Sequence, residues 1–264
     1  MTIHSVRKAV DILFAVAESE RPLSLTEVSS KAGLPIATAK RLLDTLCETH
    51  MLKRDGKLYG LGLKAFEIGK KAERNMDLVK LSMPYLGRLR DETGESANLA
   101  VLDATDVVYV ACAESSRMMR TFTVPGARVP AHCTGVGKVL LSGLPDDVIR
   151  ERYRGVCLER FTAKTVVDVE ALLEQVTRAR ISGYALDEGE REEGVVCVAA
   201  PIRDCSGCIV AAVSISGPAF RLTRKRIDAI KAKIKACCTE ISSRLGWNGV
   251  AGGVGGAGLE NESR

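Results

Sequence analysis

The side chains in this sequence that could do chemistry fall into five groups. Thr38, Lys40 and Arg41 stand together in the run Pro35 to Leu46, and Lys53, Arg54 and Lys57 follow shortly after. Cations with a hydroxyl among them suit a nucleic acid, whose phosphates attract Lys and Arg and whose base edges accept Arg and Thr. The second group, Pro130-Ala131-His132-Cys133-Thr134-Gly135-Val136-Gly137-Lys138, has the glycines and Gly-Lys of a phosphate loop. It lacks the Walker spacing, because its glycines are two apart and Val139 stands where Ser or Thr is required. We read it as a loop feeding a helix start, where free N–H groups and the positive end of the dipole cradle a carboxylate.

The third group is Asp187, Glu188, Glu190, Glu192 and Glu193. Paired carboxylates can do acid–base work, but no nucleophile stands near them in sequence. The reading is a solvated acidic loop, except for Asp187, which ends a strand running back into a sheet. Fourth, Cys197, Ser214 and Ser216 lie within two apolar runs, and Ser214 and Ser216 share a face. Small polar groups there need partners from backbone, water or a ligand. Fifth, Cys205-Ser206-Gly207-Cys208 has a redox spacing, but it falls in an expected hairpin turn and not at the head of a helix that would activate a thiol. His4, His50 and His132 are the only histidines, and no second cysteine pair supports a zinc site.

These groups need elements to hold them. Ala39, Leu42, Leu43 and Leu46 recur at helical spacing, leaving Thr38, Lys40 and Arg41 on the opposite face. Upstream, Ser24 or Thr26 caps a short helix, Gly33 turns the chain, and Pro35 suits the first position of the next helix. Asp55-Gly56 between Met51–Arg54 and Lys57–Leu61 reads as a type I′ hairpin turn. Helix, Gly turn, helix and basic hairpin together make a winged helix-turn-helix. A first helix over 5–19, capped by Ser5, packs through Val6, Ala9, Val10, Leu13 and Phe14, and leaves Ile12 and Val16 to meet a second copy. Lys64 to Arg74 reads as a linker helix, and Asp77 opens another.

From Glu95 the period changes to two. Strands are expected at 96–102, 107–113, 117–124, 184–187, 195–202 and 209–216. Helices are expected from Val136, from Pro145, from Asp168 to Ile181, and from Thr223 to Leu245. The second half is thus an α+β domain on an antiparallel sheet of about six strands, near the usual sheet size. The expected divisions are 1–63 winged helix-turn-helix, 64–76 linker helix, 77–245 effector-binding domain and 246–264 a disordered Gly/Ala-rich tail.

Composition narrows the class. The 264 residues are 46% hydrophobic and 27% charged, as in soluble globular proteins. No run is long and apolar enough for a membrane span, and the N-terminus has no signal-peptide architecture. A cytoplasmic location and no membrane partner are expected. Residues 1–74 hold thirteen Lys/Arg against nine Asp/Glu, so most of the +5 net charge lies beside the helix-turn-helix. Nine scattered cysteines read as reduced, small hydrophobic side chains.

The chain resembles the bacterial IclR family of transcriptional regulators across nearly all of residues 3–245. The matching motifs in the first half are Ser5-Val6-Arg7-Lys8-Ala9-Val10-Asp11-Ile12-Leu13, Gly33-Leu34-Pro35 with Thr38 and Arg41-Leu42-Leu43, and Tyr59-Gly60-Leu61-Gly62. In the second half they are Pro130-Ala131-His132, Gly135-Val136-Gly137-Lys138, Gly183-Tyr184-Ala185-Leu186-Asp187-Glu188, Gly194-Val195 with Cys197, and Ala199-Ala200-Pro201-Ile202. The resemblance implies a GAF-like effector domain, dimers through the DNA-binding domains and often tetramers through the effector domains. It also implies a pocket for a small catabolite, a carboxylate, keto acid or aromatic acid, lined by Gly135, Val136, Asp187, Cys197, Ser214 and Ser216. The chain departs from the pattern at Ala131 and Cys133, positions often Leu and Ala.

The expected partners are a double-stranded, palindromic DNA operator, a small-molecule effector and further copies of the chain, as homodimer or homotetramer. No cofactor, metal or catalytic residue is expected. The alternative is a thiol-based redox sensor or enzyme using Cys133 or Cys197, which lacks a base partner visible in the sequence.

Overall fold

The computed structural model of the chain describes residues 3–75 and 77–249, the side chains of 72–77 excepted. Its contacts divide it into two units, Met1–Asp77 and Leu78–Arg264. From residue 250 onward the expected tail lies outside the described residues.

The first unit runs α1 (His4–Ala17), β1 (Leu23–Ser24), α2 (Leu25–Lys31), α3 (Ile36–Glu48), β2 (Leu52–Asp55), β3 (Leu58–Leu61) and α4 (Leu63–Asn75). α2 opens on a capping box. Ser24 Oγ accepts the Glu27 N–H at 3.4 Å, and the Glu27 carboxylate accepts the Ser24 N–H at 2.8 Å. The strands pair antiparallel in the order β1-β3-β2. Ile12, Val16, Val28, Ala39, Leu43, Leu46, Leu52 and Tyr59 form the core.

Two expectations change here. α1 starts one residue earlier than expected, preceded by Ile3, with no side-chain cap, so Ser5 is not the cap. Its buried stripe is Ile12, Ala15 and Val16, while Val6, Val10 and Phe14 are exposed. Both stripes are apolar at helical spacing, so periodicity identifies the helix but not which side α2 and α3 cover. The wing turn is also shifted. Asp55 pairs with Leu58, which leaves Gly56-Lys57 as the central residues, and only Gly56 has a positive φ, 57°. A type I′ turn needs positive φ at both positions, so one glycine at the first suffices for the turn seen.

The second unit runs α5 (Asp77–Thr93), β4 (Ser96–Asp103), β5 (Asp106–Ala113), β6 (Arg128–Pro130), α6 (Gly135–Leu141), α7 (Asp146–Arg152), α8 (Val169–Ser182), β7 (Ala185–Asp187), β8 (Val195–Arg203), β9 (Ile209–Pro218) and α9 (Arg224–Arg244). A 3-10 turn, Ala131–Cys133, leads into α6. Six strands pair antiparallel in the order β6-β5-β4-β9-β8-β7. The period-two alternation divides the sheet between two cores. Val198, Ala200, Val213 and Ile215 face α5 and α9, meeting Leu86, Leu89, Ile230, Ile234 and Ile241. Ala199, Ala212 and Ala100 face α6 and α8, meeting Val136, Val139, Leu172 and Val176.

The expected strand at 117–124 is not one. Residues 114–127 form a loop with Met118 and Phe122 exposed, and the strand is Arg128–Pro130. The free edge of β5 binds further along the chain. Tyr109 N donates to Ala127 O at 3.0 Å and Tyr109 O accepts Gly126 N at 2.7 Å, after which Asp106–Val108 pair with β6. Pro125-Gly126 therefore precedes the strand it was read as ending.

Candidate functional site

The first unit offers a cationic face. On α3, Ala39 and Leu43 are wholly buried, while Lys40 and Arg41 are exposed and Thr38 is half-buried beside them. Lys40 Nζ donates to both Asp44 carboxylate oxygens, at 3.0 and 2.8 Å, an exposed i,i+4 pair of a few tenths of a kcal/mol. A phosphate can displace so weak a partner. Arg41 lies with Thr38 in a shallow depression that also includes Ser5 and Lys8 of α1. Lys8 had no sequence signal, since nothing in its spacing places it beside residue 41. On the wing, Lys53, Arg54 and Lys57 are exposed, and Arg54 Nε donates to Gly56 O at 2.9 Å across the turn.

The second unit holds a cavity of about 660 Å³. Strand register aligns Asp187, Cys197, Ser216 and Ser96 as one row across β7, β8, β9 and β4. Asp187, Cys197 and Ser216 line the cavity, with Thr134 and Tyr109 from other elements. Arg191 and Glu192 lie on the wall too, and the 114–127 loop supplies another side of it through Met119 to Val124. Thr121 fastens it there, its carbonyl accepting Ser96 Oγ at 3.2 Å and its hydroxyl donating to Ser216 O at 3.1 Å. Arg221 holds the same loop by donating to Met119 O at 2.8 Å, while its bidentate pairing at 2.8 and 2.7 Å neutralises the wholly buried Glu95.

Asp187 Oδ1 accepts the N–H groups of Gly189 and Glu190, at 3.1 and 2.7 Å, which folds 187–190 into a tight turn. Burial pushes the Asp187 carboxyl up to about 6. Glu190 adds to that, and the two amides and Lys138 oppose it. Behind the turn, Lys138 is about as buried as any leucine in the core, 1% exposed. Its Nζ donates to the Glu190 carboxylate and to Leu186 O, the latter at 3.1 Å. Thr162 and Thr165 donate to Gly189 O and Glu190 O at 2.7 and 2.6 Å from the other side. Gly137 is required for this packing, because a Cβ there would lie 2.1 Å from Ala131 O.

Comparison with known proteins places this geometry. Residues 5–56 match the IclR helix-turn-helix domain, and residues 70–243 match the C-terminal domain of the bacterial transcriptional regulator IclR. The chain belongs to the IclR family of transcriptional regulators. The HTH-type regulator BhcR of Paracoccus denitrificans is 36% identical over 91% of this chain and 86% of its own. KdgR of Escherichia coli is 32% identical over 94% of each. A Rhodococcus transcriptional regulator of known structure superposes with a TM-score of 0.79 at 30% identity, covering 92% of this chain and 98% of its own. An IclR homolog from Microbacterium hydrocarbonoxydans, solved with 4-hydroxybenzoate, has the same fold, with a TM-score of 0.80 at 23% identity over 91% and 98% of the two chains. The present chain is therefore a DNA-binding transcriptional regulator of the helix-turn-helix type.

The residues that the IclR resemblance assigned to the effector divide in two. Asp187, Cys197 and Ser216 come together at the cavity wall. Gly135 and Val136 are buried under the sheet, and Thr134 is the residue of that helix start lining the cavity. Ser214 is wholly buried one row below, accepting Asn98 Nδ2 at 3.4 Å. In the loop Pro130–Lys138, read as a carboxylate cradle, one N–H of the helix start is already taken and the lysine points elsewhere. Thr134 Oγ1 takes the Gly137 N–H at 3.1 Å, and the Lys138 ammonium turns away to Glu190. Glu190 is in turn buried, 8% exposed, and not part of a solvated acidic loop.

The thiol alternative also falls. Burial pushes Cys133 up to about 12 and Cys197 up to about 11, so neither presents the thiolate that redox or nucleophilic chemistry needs at neutral pH. Tyr109, Thr121 and Arg191 are among the cavity residues that sequence reasoning missed. Tyr109 and Thr121 carried no signal apart from strand patterning, and Arg191 read as one more charge in a charged loop.

Proposed function

We propose that this IclR-family regulator reads DNA with Thr38, Lys40 and Arg41 of α3 and rests Lys53, Arg54 and Lys57 of the wing on adjacent phosphates. The observation that carries this is the exposure of Lys40 and Arg41 on a helix whose opposite face, Ala39 and Leu43, anchors the unit's core. The proposed divisions are a reader over 1–63, a connector over 64–76 and an effector domain over 77–245. The effector is a small carboxylate, keto acid or aromatic acid held against Asp187, Cys197 and Ser216. The 4-hydroxybenzoate bound by the Microbacterium homolog supports that class.

A palindromic operator calls for paired recognition helices, hence a homodimer or a homotetramer, acting in the cytoplasm. The exposed stripe Val6, Val10 and Phe14 on α1 supports pairing through the first unit. Phe14→Asp is expected to lower the oligomeric state in sedimentation velocity, and an unchanged sedimentation coefficient removes this face from the interface. Because an effector shifts operator affinity only by its differential affinity for two conformations, operator DNA must change effector affinity by the same factor.

The test of DNA reading is Arg41→Ala in fluorescence anisotropy against operator and against scrambled DNA. If Arg41 contacts a base, operator affinity falls by about 1–3 kcal/mol and the preference for operator narrows. If it touches only phosphate, both affinities fall together and the salt slope shrinks by about one. Unchanged affinity on both DNAs refutes its place in the interface.

A further inference from the structure

Arg191 lines the cavity, half-buried, with a guanidinium that has no ion pair or hydrogen bond among the described residues. The other cavity arginine, Arg120, differs, being engaged with Glu114 and with Arg117 O, both at 3.3 Å. What holds Arg191 is stacking. Its guanidinium carbon sits 3.8 Å from the centroid of the Phe161 ring, and Phe161 is stacked on His132 with centroids 6.3 Å apart. His132 Nε2 is fixed in turn against Glu159 O at 3.0 Å. Stacking engages the face of a guanidinium and leaves its N–H donors free in the plane, in the fork that matches a carboxylate. The charge reaches the cavity interior, since it opposes the upward push that burial gives the Tyr109 hydroxyl and the Cys133 thiol.

The Asp187 carboxyl in the same cavity makes the opposite demand. Asp187 is 4% exposed, its Oδ1 is taken by two backbone amides, and its Oδ2 has no hydrogen bond among the described residues. A buried, ionised acceptor requires a donor. Glu192 lines the same cavity, so an entering anion meets two like charges unless it lands on Arg191. The volume, about 660 Å³, lies within the range for small-molecule sites and has room for a ring between the two ends.

Resting on the reading of this cavity as the effector site, we propose that Arg191 determines its specificity. Arg191 receives the ligand's carboxylate on its free edge, and Asp187 receives a hydroxyl or amino donor from the ligand's other end. The ligand class is then a small acid that also carries a hydrogen-bond donor, and a simple acid or a simple phenol satisfies only half the site.

The experiment is isothermal titration of the full chain with 4-hydroxyphenylacetate, phenylacetate, 4-methylphenol, glycolate and acetate. The wild type is compared with Arg191→Gln, Arg191→Lys and Thr121→Trp, each first shown to keep the wild-type thermal midpoint. At least one hydroxy acid is expected to bind about tenfold or more tighter than its deoxy counterpart. Arg191→Gln should weaken the acids about tenfold and leave 4-methylphenol within about twofold, with Arg191→Lys restoring part of the loss. Equal loss for acids and phenol, no loss at all, or no binding of either hydroxy acid to the wild type at about 10 mM overturns the proposal. Thr121→Trp fills the cavity and should abolish binding. Acids that still bind that variant are bound elsewhere, which removes the cavity reading itself. Binding that Thr121→Trp blocks but Arg191→Gln leaves intact removes only the role of Arg191.

Discussion

Lys138→Met is expected to destabilise the unit Leu78–Arg264 by about 3–5 kcal/mol, and Lys138→Met combined with Glu190→Leu to recover most of that loss. Lys138 is fully enclosed by α6, α8 and the sheet, and its ammonium meets the Glu190 carboxylate where neither reaches water freely. Removing the cation strands a buried anion whose second oxygen, Glu190 Oε2, already has no hydrogen-bond partner. Desolvation of that carboxylate is then uncompensated, which is why breaking such a pair costs more than the pair contributes. Replacing both members with apolar groups of similar volume removes the charge problem, so the double variant should be far from additive. Trp247, the chain's single tryptophan, belongs to the same unit and reports urea unfolding directly. Additive losses in the cycle would mean that the two side chains do not act as a pair. The single variant should also disturb the cavity, because Lys138 is one of the groups that hold the Asp187 carboxyl down.

How far the sequence reveals all this depends on whether a partner is local. The helix-turn-helix is legible because its signals are local: the Ser24–Glu27 capping box, the turn at Gly33, and the stripe Ala39, Leu43, Leu46. The β8–β9 hairpin is legible for the same reason, its alternation setting Cys197 and Ser216 on one face and Val198 and Ile215 on the other. α1 shows the limit of periodicity, since two apolar stripes on one helix look alike until α2 and α3 choose between them. The segment 117–124 fails differently. It has strand-like alternation, but the edge it would need is occupied by residues 126–130. Lys138 and Glu190 lie fifty-two positions apart, and each alone reads as a surface charge. Arg191 is of this kind too, for its meaning comes from Phe161, thirty residues earlier.

Asp187→Asn is expected to remove a pH dependence of stability. An aspartate in the unfolded chain titrates near 3.8, and in the fold burial lifts Asp187 to about 6. Between those values the folded state binds more protons than the unfolded one, so wild-type stability falls as pH rises through that window and levels off above it. Two units correspond to about 3 kcal/mol at most, and the two amides donated to Oδ1 are already included in that balance. Asparagine can accept the same amides without carrying charge. The variant should therefore be more stable than wild type above about pH 6, by about 1–3 kcal/mol, and lose that advantage below about pH 4. Urea unfolding of the ligand-free chain across this range measures the difference, and parallel pH profiles would show that Asp187 is not the group responsible. A ligand that donates a hydrogen bond to Asp187 favours its ionised form, so its affinity should rise as pH increases through about 6, and proton release on binding should peak there. In Asp187→Asn both effects should vanish together, although the chain itself has become harder to unfold. The same buried carboxylate that weakens the empty fold is then what a donor-bearing effector relieves, which gives binding at this wall a larger effect on the unit than its few contacts alone would supply.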